Sequence, residues 1–253
     1  YRKYKVEYMN GFIDMLKTKY LCLPVNVKAS VWFLVSAFFQ RGILVITTPV
    51  FTRIMTTVEY GEFNVFYSWY GIITILVTLN LFFGVYVRGL IKFENENRIF
   101  SSSMEGLTLT LTLGWFTIYL LFPSLFNKIL SLNAQKMICM FVIIWTNSAF
   151  SFWAAEQRVN LKYKKLVTLT IISVVVTPII QILLMNFNFN KVMARIYGLA
   201  VINVLLYTPL FVKQMKNGKL FYSAKYWKYA LSFNIPLLPH YLSQTILNSA
   251  DRL

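Results

Sequence analysis

At 253 residues the chain is 57% hydrophobic and only 13% charged, with a mean hydropathy of +0.57. A soluble domain carries about a quarter of its residues as charged side chains, so this balance argues against a soluble fold and for a polytopic membrane protein. The net charge of +16 sits in clusters between apolar runs, which fits loops beside anionic lipid better than a nucleic-acid surface.

The leader, residues 1–28, carries Arg2, Lys3, Lys5, Lys17, Lys19 and Lys28. It lacks the short apolar core and small-residue cleavage site of a secretory signal. Val6 to Leu21 suits a short amphipathic helix on the membrane surface, and a solvated tail suits it equally. Cys22 and Cys139 are the only cysteines, so neither a metal spacing nor a disulfide framework follows. No metal and no cofactor is expected.

The first long apolar run is Val31 to Arg53, VWFLVSAFFQRGILVITTPVFTR. At about 1.5 Å of rise per residue it can cross a bilayer as one helix. Gln40 and Arg41 fall in its middle, and Pro49 and Arg53 close it. An arginine near the bilayer centre costs about 2.5–3.5 kcal/mol on insertion scales. Arg41 is therefore expected to face protein or a watery cavity and to meet an anion.

Further spans are expected at Phe63–Val87, Met104–Phe126, Lys136–Ala155, Leu166–Met185 and Ala194–Val212. The alternating threonines of LTLTLTL (Thr108, Thr110, Thr112) resemble a strand by period. The run is too long for one, and threonine can return its hydroxyl to a helix carbonyl. Leu166–Met185 is rich in β-branched residues and holds Pro178, and its length again favours a span. A seventh span, Tyr229 to Leu253, contains Pro236, Pro239, His240, Asp251 and Arg252. It stands alone at the end of the sequence, so truncation there is expected.

The expected architecture is an all-α polytopic bundle. Its parts are a cytoplasmic leader (1–28), six spans (29–215), a basic cytoplasmic loop (216–228) and a seventh span (229–253). Lysine and arginine support this order. Segments carrying six, three, four and five of them alternate with segments carrying one, two and two. Such alternation places the N-terminus in the cytoplasm.

Arg41 is the strongest candidate for a cavity cation that meets a phosphate or carboxylate, with Gln40 beside it. The alternative is a structural arginine paired with a buried carbonyl or acid. Arg53 and Arg252, at the outer ends of spans 1 and 7, are further candidates, although snorkelling to the interface also explains them. Arg88 and Arg158 lie at cytoplasmic ends, where positive-inside placement accounts for them too. His240 follows Pro239 in a helix that Pro236 also kinks, and it can take up a proton there; satisfaction by a neighbouring helix is the simpler role. Asp251 pairs with an arginine or binds a coupling cation. No phosphate loop, metal cluster or nucleophile elbow is present, which favours transport over catalysis.

Four stretches together resemble the polysaccharide flippases of the multidrug/oligosaccharidyl-lipid/polysaccharide exporter superfamily. They are ITTPVFTRIMTTVEYG (Ile46–Gly61), NLFFGVYVRGLIKF (Asn80–Phe93), FWAAEQR (Phe152–Arg158) and FNIPLLPHYLSQTILNSADRL (Phe233–Leu253). The resemblance implies two six-helix lobes around a central cavity, with the six spans forming the N-terminal lobe and the seventh beginning the second. It also implies export of undecaprenyl-pyrophosphate-linked oligosaccharide across a bacterial plasma membrane by alternating access, as in the making of O-antigen, lipopolysaccharide or exopolysaccharide. Arg41, Arg53, Arg252, Arg88 and Gln40 would then bind substrate, and Pro236, Pro239, His240 and Asp251 would serve coupling or gating. Membrane lipid and other polysaccharide-assembly proteins are the implied partners. Two rivals are a drug/cation antiporter of the same superfamily, which should favour acids in its cavity, and a membrane polymerase or ligase, which typically needs a large outer loop.

Overall fold

The computed structural model describes residues 23–187 and 190–249. The proposed leader helix over Val6–Leu21, Cys22, Asp251 and Arg252 lie outside the described residues. The described chain is all-α. Its helices are α1 (Val25–Ile54), α2 (Thr57–Thr78), α3 (Val85–Lys92), α4 (Asn97–Leu121), α5 (Pro123–Leu130), α6 (Ala134–Val159), α7 (Tyr163–Asn186), α8 (Lys191–Gly218), α9 (Ala224–Asn234) and α10 (Leu238–Ser249), with 3-10 turns at Glu94–Glu96 and Ile235–Leu237.

Five of these are long and apolar enough to cross a membrane: α1, α4 with its preceding turn, α6, α7 and α8. The threonine repeat is helical as expected, with Thr110 and Thr112 hydroxyls donating to the carbonyls of Gly106 and Thr108 at 2.8 Å. The β-branched run of α7 is helical through Pro178. Two expected spans differ from expectation. The one over Phe63–Val87 is not continuous: α2 stops at Thr78, and Leu79, Asn80 and Gly84 all take positive φ before α3 begins. The seventh is split at the Ile235–Leu237 turn into two helices of 11 and 12 residues. Proline removes a helix donor and clashes with the preceding turn, and Pro236 sits inside that turn. The third span also starts earlier and ends at Leu121, because Pro123 opens the separate helix α5.

α6 is the centre of the bundle: 67% of its most apolar stretch is buried, against 11% for α1, which lies at the periphery against α7. Lipid tails are as apolar as leucine, so helices in a membrane associate through close packing and small residues rather than through water exclusion. The crossing of α4 with the end of α8 follows this rule. A Cβ at Gly218 would collide with the Arg98 carbonyl and Ser102, and one at Gly106 would collide with the Phe221 carbonyl. Ser102 Oγ donates to the Leu220 carbonyl at 2.5 Å and accepts from the Leu220 amide at 3.2 Å. Trp227 Nε1 donates to the Ser103 carbonyl at 2.9 Å. A ring cluster of Tyr86, Phe100 and Phe152 fills the space beneath, with centroids 4.7–5.6 Å apart.

Candidate functional site

The turn between α1 and α2 is locked by local and distant contacts. Thr56 and Glu59 form a capping box, the Glu59 amide donating to Thr56 Oγ1 and the Thr56 amide donating to Glu59 Oε2. This satisfies two orphan donors at the start of α2. Lys191 on α8 donates to the Ile54 carbonyl at 2.8 Å and stands 3.9 Å from Glu59. Lys136 on α6 pairs with Glu62. The Arg195 guanidinium lies 3.8 Å from the Phe63 ring centroid and 4.1 Å from that of Phe51. Its Nη1 approaches Met55 Sδ at 3.9 Å. Phe51, Met55, Thr56 and Glu59 all belong to the Ile46–Gly61 stretch. That stretch therefore builds an elbow anchored to α6 and α8.

Arg41 is placed quite differently. The packed side of α1 runs through Ala29, Ser36, Gln40 and Phe51, and Gln40 donates to the Ser36 carbonyl at 3.3 Å. Leu34, Phe38, Arg41 and Val45 form the opposite, exposed stripe, with Leu34 72%, Phe38 80% and Val45 73% exposed. Arg41 has no hydrogen-bond, ion-pair or ring partner among the described residues. It does not face protein within the described chain. Arg53 is also exposed, in the last turn of α1.

Arg88 joins a second cluster. Its guanidinium sits 4.8 Å over the Phe233 ring at the end of α9, while Lys92 lies over Tyr229 at 4.6 Å. The break between α2 and α3 is docked to the same region. The Asn234 amide, fully buried, donates to the Leu79 carbonyl at 2.8 Å, supplying a partner that the helix end lacks. Gly84 takes a positive φ of 64°, which L side chains rarely adopt, so a substitution there is strained although a Cβ would only touch Tyr241 and Phe233. Pro236, Pro239 and His240 are exposed just beyond. The structure thus brings Arg88 to the proline-broken segment but leaves Arg41 and Arg53 on α1. Arg158 is exposed at the end of α6.

Three charged groups stand out that the sequence reading does not select. Lys191 and Arg195 were countable only as loop charges, because their partners come from α1 and α2. Glu105 on α4 is 1% exposed, and neither carboxyl oxygen has a hydrogen-bond partner. Its signal is legible: it is the sole acid between Met104 and Phe126. Among the described residues no three His, Cys, Asp or Glu side chains gather as a metal site. A shallow groove runs along α8, lined by Val204, Leu205, Thr208, Pro209 and Val212, with Lys213 and Lys216 at one end. It contains none of the arginines selected from sequence.

Helices of this length and apolarity, packed through small residues and carrying buried polar groups, define a multi-pass α-helical membrane protein. A family model described as polysaccharide biosynthesis protein matches residues 27–253. The chain belongs to that family. No curated protein and no solved structure matches it.

Proposed function

We propose that the chain is the N-terminal lobe, with the start of a second lobe, of a transporter that flips undecaprenyl-pyrophosphate-linked oligosaccharide across the bacterial plasma membrane. Its N-terminus lies in the cytoplasm, it catalyses no covalent chemistry, and it works beside other polysaccharide-assembly proteins. Membership of the polysaccharide biosynthesis family supports the broad role. The observation that carries the specific one is Arg41, an uncommitted cation midway along a 30-residue apolar helix.

A guanidinium without a protein partner is available to a ligand. Pyrophosphate must leave headgroup water to cross, and arginine replaces that water with two parallel charge-assisted bonds. Gln40, one residue before, adds an amide, and Arg53 and Arg252 hold the headgroup toward the outer side. Arg88 receives it on the cytoplasmic side; stacking on Phe233 uses one face of its guanidinium and leaves the in-plane N–H groups for phosphate. Pro236 and Pro239 let the first segment of the second lobe bend during the switch, with His240 beside that bend, and His240 and Asp251 serve coupling.

The test uses the full-length protein in cells lacking their own flippase, with surface polysaccharide measured at matched membrane levels. Arg41→Ala is expected to abolish export and Arg41→Lys to retain part of it. Normal export by Arg41→Ala overturns the reading.

A further inference from the structure

We infer that Glu105 is a proton-binding site, loaded from the end of the bundle where α4 begins and α8 ends. For its purpose, coupling transport to a proton, this rests on the transporter reading above; the binding itself does not.

Glu105 lies nine residues into α4, roughly 12 Å from the helix start at about 1.5 Å per residue. It is 1% exposed, no ion pair among the described residues includes it, and both oxygens lack a donor. Leaving an isolated carboxylate ionised in such a place costs far more than any fold can offset, and the group takes up a proton instead. Gln214 Oε1 on α8 and the Thr108 hydroxyl, one turn along α4, are also buried without partners. A protonated Glu105 is neutral and adds a donor among these groups.

Polar groups of the neighbouring helices cluster on the side of Glu105 nearer the start of α4. The Tyr86 hydroxyl on α3 donates to Ser101 Oγ at 2.7 Å and lies within electrostatic reach of both Glu105 and Glu156. Gln214 Nε2 donates to Glu156 Oε2 at 3.4 Å. Glu156 is only partly buried, three residues from the end of α6, which puts an acid in reach of water on the side where α4 begins. The remaining charges on α4 and the elements around it are exposed or held elsewhere: Arg98 of α4, Lys128 of α5, Arg158 of α6 and Lys228 of α9 are exposed. Arg88 and Lys92 of α3 stack on Phe233 and Tyr229. Glu59 and Glu62 of α2 hold lysines at the far end. On α9, Tyr226 and Lys225 bond Glu96, and on α8, Lys213 and Lys216 line the outer groove.

The test is infrared difference spectroscopy of the full-length protein in lipid vesicles, titrated from mildly acidic to alkaline pH. Wild type is expected to show a protonated-carboxyl C=O band that fades as pH rises, and Glu105→Gln is expected to lose that band. Glu105→Asp, which keeps the acid, shifts the band rather than removing it and secures the assignment if Glu105→Gln does not fold. A band that persists unchanged to alkaline pH marks a permanently neutral carboxyl and overturns the proposal. So does an ionised carboxylate at every pH, including one that responds to added sodium. None of these readings depends on export, so normal export by Arg41→Ala and a silent Glu105 band are separate failures.

Discussion

Two arginines occupy apolar helices of this protein and are treated in opposite ways. Arg195 is caged between Phe51 and Phe63, with Met55 at its edge. Arg41 lies on an exposed stripe and has no hydrogen-bond, ion-pair or ring partner among the described residues. A planar guanidinium stacked between rings is desolvated and held by contacts on both faces; its positive charge fixes three helices relative to one another. The other arginine has no such partner among the described residues. The same side chain is a rivet in one region and unpartnered in the other, and burial with partners tells them apart where sequence position does not.

The contrast is broken most directly at the cage. Arg195→Ala removes three cation–π contacts, worth about 0.5–2 kcal/mol each when desolvated, and is expected to lower the melting temperature of the detergent-solubilised protein by roughly 5 °C. Arg195→Lys should rescue little, because a compact ammonium cannot stack on two rings at once. An unchanged melting temperature would mean that the cage is incidental. A smaller loss is expected at the elbow beneath it. Thr56→Ala deletes one half of the capping box and should cost about 1 kcal/mol, read as a lower midpoint in chemical denaturation with unchanged slope.

The helices were legible in sequence where an apolar run was long enough to span, as in α1 and α7, even with Pro49 and Pro178 inside them. The break at Leu79–Gly84 was not, because the apolar run continues straight through LFFGV. What ends α2 is the positive φ of Leu79 and Asn80 and a carbonyl satisfied by Asn234, 155 residues away. The turn at Pro236 was legible for the opposite reason, since proline carries its helix-breaking chemistry with it. Arg41 could be selected by position alone. The Arg195 cage could not, because its walls come from Phe51, Tyr60 and Phe63 on other helices. Glu105 stood in plain view beside the threonine repeat, yet only burial on every side gives a lone acid meaning.

The smallest stability effect is expected at Arg41, and it sharpens the comparison most. Arg41→Ala deletes a side chain without partners, so stability should change by no more than about 0.5 kcal/mol while export is lost. A structural arginine would show the reverse pattern, a lower melting temperature with export falling only as protein is lost. The stripe itself can be probed in a background in which Cys22 and Cys139 are replaced by serine. Arg41→Cys and Phe38→Cys, one turn apart on the exposed face, should both react with a charged thiol reagent that does not dissolve in lipid, because a path for pyrophosphate must be wet. Val45→Cys extends the same line toward the elbow. Protection of all three would place the stripe against lipid. Arg41 would then be an interfacial charge with no route to a headgroup, and the difference between the two arginines would be one of packing alone.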